Sequence, residues 1–143
     1  MLMKLLKDFL ISILPPVAVL FIFFLRLVFL PYRDDLDTVA HFMGGASIAW
    51  MTLILYRLWT ERGWIPKTVP SWLKNFAVWG SVALVGVFWE FWEYYMDTFQ
   101  GWHSQVSEAD TMCDLFMDLL GGLMVILIAQ YIFDRFASKK RKR

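Results

Sequence analysis

Apolar positions along this chain gather into four long runs, at 9–30, 39–59, 76–96 and 112–133, separated by short polar stretches. Each run holds roughly the 20 residues that a helix rising 1.5 Å per residue needs to cross about 30 Å of hydrocarbon. The connectors are too short for a separate soluble domain. The core must then lie between the helices themselves, as in lipid every backbone polar group has to be satisfied internally. The pattern predicts an all-α membrane protein, a four-transmembrane-helix bundle forming a single domain over 1–143.

The first run follows Lys4 and Lys7, as a signal peptide would. Its apolar stretch outlasts the roughly 7–15 residues of a signal h-region, and no small-x-small cleavage site precedes "PYRDD", so the segment is expected to stay as an anchor. Pro15 and Pro16 in its first half are expected to bend the helix.

Composition fits this reading: 59% of residues are apolar and 18% aromatic, too much for a soluble domain of this length. The formal charge of +1 conceals a strong polarity. Lys4, Lys7, Arg57, Arg62, Lys67, Lys74 and the closing "SKKRKR" fall at the termini and around the middle connector, whereas the other two connectors hold Asp34, Asp35, Asp37, Asp97, Glu108 and Asp110 with only Arg33 as a fixed cation. By the positive-inside rule both termini and the loop 60–75 are cytoplasmic and the acidic connectors face outward. The expected location is the bacterial cytoplasmic (inner) membrane. Trp59, Trp64 and Trp72 read as interfacial belt residues, and the basic tail 138–143 as a contact for anionic lipid headgroups. No folded basic surface accompanies that tail, so nucleic acid is not an expected partner; membrane lipids are, and homo-oligomers stay open. Cys113 stands alone, which rules out an intrachain disulfide and leaves the default role of a small buried hydrophobe.

Polar residues inside the apolar runs carry the candidate chemistry. Asp37 and His41 are four apart, Glu90 and Glu93 three apart, and Asp110, Asp114 and Asp118 four apart, so each set lines one face of its helix. All three stripes meet at the outer end of the bundle. Rise per residue places His41, Glu93 and Asp114 in one layer about 5 Å inside the boundary, with Glu90 and Asp118 about 5 Å deeper. Simpler roles exist: Asp37 and Asp110 suit helix N-caps, Glu90 and Asp118 a hydrogen-bonded seam between helices, and His103 a solvated loop. The pairs Gly44/Gly45 and Gly121/Gly122 suit close helix contact. A carboxylate at mid-bilayer costs about 2.5–3.5 kcal/mol, and only Arg26 and Arg33 are cations on that side, Arg26 either snorkelling outward or facing the acids.

Pairing, protonation or a cation would resolve that imbalance, and a divalent ion is the one that keeps the carboxylates ionised. Carboxylates with one imidazole suit Mg²⁺, Mn²⁺, Fe²⁺ or Zn²⁺. The expected metal ligands are His41, Glu93 and Asp114, with Asp110 and Asp118 as further candidates, Glu90 as general base and Asp37 orienting the imidazole.

The order Asp37-x3-His41 with following glycine, Glu90-x2-Glu93, then "DTMCD" from Asp110 to Asp114 with Gly121 downstream, resembles the VanZ-like membrane proteins, most closely their uncharacterised YjdF-type branch. Asp118 departs from that pattern, where an asparagine or a small residue is usual. The resemblance implies a helical inner-membrane protein, some relatives being linked to glycopeptide-antibiotic resistance, with no settled chemistry.

Two functional classes follow. One is a metal-dependent hydrolase or transferase acting on a phosphate-bearing or cell-envelope lipid in the outer leaflet. The alternative is a non-enzymatic membrane protein that binds or carries an ion, a proton or a lipid headgroup. No acidic stripe continues to the cytoplasmic end, which weighs against a through-path.

Overall fold

A computed structural model describes residues 2–29, 34–101, 105 and 107–141 of the chain. They form four α-helices: α1 (Leu2–Phe29), α2 (Asp34–Glu61), α3 (Ser71–Gln100) and α4 (Glu108–Arg141). No strand occurs among the described residues. Each helix contains a stretch long and apolar enough to cross a membrane, at Leu5–Leu25, Leu36–Glu61, Ser71–Gln100 and Glu108–Ile132. The protein is an all-α, four-span integral membrane protein.

Every helix begins earlier than its apolar run, by four to seven residues. Backbone hydrogen bonding has no reason to stop where side chains turn polar, so the helices continue into the polar zone. Their ends are set by local chemistry instead. Past α2, Gly63 adopts φ 77°, its N–H reaching the Thr60 carbonyl (3.1 Å) while the Trp64 N–H reaches that of Trp59 (2.9 Å). This is a Schellman stop, which asks for a residue without Cβ at the left-handed position. Gly101, φ 69°, closes α3 by the same freedom. α4 starts on Ser107, whose hydroxyl accepts the Asp110 N–H at 3.2 Å. Asp110 is therefore not the N-cap; it sits in the first turn, where a carboxylate favours the helix dipole. Asp37 is no N-cap either, as α2 already begins at Asp34. α1 runs unbroken as an α-helix through Pro15 and Pro16.

The chain goes up and down, so both ends and the α2–α3 connection share one end of the bundle, the basic one. The acidic connections share the other. α2 and α4 form the most extensive pair, with α1 packed on α2, and α3 on both α2 and α4. Two glycines make the central crossing possible: a Cβ on Gly45 would overlap the Asp118 backbone, and one on Gly121 the Phe42 carbonyl. Trp79 ties α3 to α4 as well, its indole N–H donating to the Leu119 carbonyl at 3.0 Å.

Burial is inverted relative to a soluble protein. The apolar core is small, centred on Ala49, Val78, Val82 and Ile126, while large side chains such as Phe21, Phe88, Phe91 and Leu127 are exposed. Buried polar groups include Asp37, His41, Glu90, Glu93, Asp114 and Asp118. Such an arrangement is stable only where lipid is the solvent outside. Trp59, Trp64 and Trp72 are exposed, in keeping with a belt. Cys113 is exposed too, which corrects its expected burial: it precedes Asp114 by one residue, so when Asp114 faces inward Cys113 is turned about 100° away.

Candidate metal centre

Three helices supply the site. α2 brings Asp37 and His41, α3 brings Glu90 and Glu93, and α4 brings Asp114 and Asp118, one turn apart in each case and all buried. Glu93, 1% exposed, is the largest fully buried side chain among the described residues. A carboxylate holds the position that a soluble bundle would give to leucine or phenylalanine.

His41 is the hub. Its Nδ1 lies 3.3 Å from Asp118 Oδ2 and 3.9 Å from Glu90 Oε1, while Nε2 lies 3.9 Å from Asp114 Oδ2. With the Nδ1 proton donated to Asp118, Nε2 presents a lone pair into the cluster, the tautomer suited to a metal ligand. Among the described residues, Nε2 is buried with no hydrogen-bond partner, and so are Glu90 Oε1 and Glu93 Oε1. Orphaned buried polar atoms are uncommon and costly, and three in one cluster point to something that they hold.

Donor atoms fall into two mutually close groups, Asp37, His41 and Asp114, and His41, Glu90 and Glu93, the atoms of each lying within 4.8 Å of one another. The geometry thus differs from the single His41, Glu93, Asp114 layer expected from depth. Depth alone says nothing of how far each helix is rotated, and the rotation splits the donors around a shared imidazole. Asp118 is a carboxylate partner of the imidazole, at 3.3 Å from Nδ1, while Asp37 stands in one of the two donor groups. Gly86 makes room for Asp118: a Cβ there would meet its Oδ2 at 2.6 Å. Asp110, partly buried at the rim, belongs to neither group. His103, Arg33, the Arg26 side chain and the side chains of the basic tail lie outside the described residues.

Gln105, in the α3–α4 connection, escaped the sequence reading. Its side-chain amide donates to Glu90 Oε2 (2.9 Å) and to the Glu90 carbonyl (3.1 Å), and its backbone N–H donates to Asp97 Oδ2 (2.8 Å). One oxygen of Glu90 is thereby fixed while the other stays unpartnered. Nothing in the local pattern around a lone loop glutamine signals such a contact, which joins residues 15 apart in sequence.

Residues 9–135 match the family described as "Predicted membrane protein (DUF2238)". The chain belongs to that family. The match takes in three of the spans whole, the first but for its opening turn, and every residue of the cluster. Comparison with curated proteins and with solved structures gives no match.

Proposed function

We propose that the cluster binds a divalent metal ion and that the protein is a metal-dependent hydrolase or transferase acting on a phosphate-bearing or cell-envelope lipid. The observation that carries this reading is the set of buried, unpartnered donor atoms, His41 Nε2, Glu90 Oε1 and Glu93 Oε1, held within one cluster. The all-oxygen and imidazole donor set suits Mg²⁺, Mn²⁺, Fe²⁺ or Zn²⁺. His41 is common to both donor groups, Asp37 and Asp114 completing one and Glu90 and Glu93 the other, and Asp118 holds the imidazole through Nδ1. A bound ion there supplies a Lewis acid for a phosphoryl oxygen and an activated water. Glu90, anchored by Gln105 through one oxygen, has the other free to take that water's proton.

By the positive-inside rule the lysine and arginine distribution supports an outward-facing acidic end, which in a bacterial inner membrane would present the site to outer-leaflet lipid. The reading is tested by incubating purified, metal-loaded protein with phospholipid and with polyprenyl phosphates and following phosphate or headgroup release. Turnover that disappears in Glu90→Gln, with the metal retained, is the expected result. Bound metal without turnover on any envelope lipid would favour a binder or carrier instead.

A further inference from the structure

Below the acid and histidine cluster the bundle is not filled. A cavity of about 400 Å³ lies between α1, α2 and α3, within the range of pockets that hold small ligands. Pro16, Val17 and Leu20 of α1, Ile48 and Met51 of α2 and Val85 of α3 line it, with His41 and Asp118 among its few polar side chains. Ser47 also borders it, but its hydroxyl is engaged by the Gly44 carbonyl at 2.8 Å. The lining is therefore apolar along its length and charged at one end.

The dimensions are those of one leaflet. On α2 the lining runs from Ala40 and His41 to Met51, and on α1 from Phe23 back to Ile13, about 15 Å of helix at 1.5 Å per residue. Half of a hydrocarbon core of about 30 Å is the same length. The direction also fits: a lipid in the leaflet at the acidic end has its head at the level of the cluster and its tail pointing toward the bilayer centre. An entrance exists, because α1 packs along α2, and Val17, Leu20 and Val85 on the cavity's α1 and α3 walls are exposed. The two helices meet instead through rings near the cluster, Phe23 edge-on to Trp89 (5.0 Å) and Phe24 edge-on to Trp92 (6.1 Å). A chain can slip in sideways below those rings.

We infer that this cavity binds a single hydrocarbon tail of a bilayer lipid, holding the lipid's polar end against His41 and Asp118. The inference rests on the proposed metal chemistry only for what the head meets; the tail site stands on the cavity. An acyl chain and an isoprenoid chain share the chemistry that the lining recognises, and the protein would hold either by shape and apolar contact.

The test is photo-crosslinking of the full chain in lipid nanodiscs. One arm carries phosphatidylglycerol with a diazirine on one acyl chain, the other a diazirine-bearing polyprenyl phosphate, and labelled peptides are mapped. Labelling of Val17, Met51 or Val85 well above that of the outward-facing Phe88 and Leu127 is expected in at least one arm, and the arm that labels identifies the kind of tail. Val17→Trp and, independently, Val85→Trp should fill the cavity and lower labelling at Met51 by about tenfold, the equivalent of ~1.4 kcal/mol. Metal content of the same samples is measured alongside. Tail labelling in a metal-free protein would sink the metal reading and leave the tail site standing. Labelling spread evenly over cavity and outer surface, or unaffected by both tryptophans, would overturn the tail site: the lipid is then merely annular.

Discussion

At the scale of single residues, the cluster was legible wherever helical spacing and depth were enough. His41, Glu90, Glu93 and Asp114 each lie one turn from an acid on the same helix, and the bundle closes on that face. What spacing does not reveal is which residue across the gap each one meets. Asp118, out of place in the VanZ-like pattern, turns out to hold His41, and Gln105 to hold Glu90, since both contacts depend on helix rotation and loop path. Gly45 offers a direct check on the close α2–α4 crossing that positions them. Gly45→Ala forces a methyl group into the Asp118 backbone and should destabilise the protein by about 1–3 kcal/mol. Gly80→Ala, where a Cβ meets nothing within 4 Å, should be neutral or stabilising by up to about 1 kcal/mol. Thermal unfolding in detergent distinguishes the two; equal effects would mean that the helices do not approach as described.

At the scale of the elements, the number of helices and their order follow from the apolar runs, while their ends do not. The runs mark where side chains leave hydrocarbon, whereas α2 ends at a Schellman turn on Gly63 and α4 begins on Ser107, both in polar sequence. The inter-helix ties are individually modest. Trp79→Phe removes the hydrogen bond from α3 to the Leu119 carbonyl and should cost about 0.6 kcal/mol, the average for such bonds between membrane helices. A loss of several kcal/mol on unfolding would show that the indole does more than bridge the two helices.

At the scale of the whole molecule, the inverted burial makes orientation a functional matter, because the cluster sits nearer the acidic end of the bundle than the basic one. The cations at the opposite end predict that this acidic end faces outward. In a Cys113→Ser background, a cysteine at Ser138 should react with an impermeant maleimide only after the membrane is opened. Reaction in intact cells would place the cluster on the cytoplasmic side and remove outer-leaflet lipids from consideration. Metal binding stabilises the folded state by mass action, so chelation should lower the melting temperature of the wild type and leave Glu93→Ala and Asp114→Ala, already metal-free, unmoved.

The claim on which the rest depends is that buried donors without partners hold an ion. Elemental analysis of the detergent-purified wild type, prepared without chelator and compared with His41→Ala, addresses it most directly. The account predicts a stoichiometric divalent metal in the wild type, lost in His41→Ala. A folded wild type that contains no stoichiometric metal, and that no added Mg²⁺, Mn²⁺, Fe²⁺ or Zn²⁺ stabilises, would contradict it.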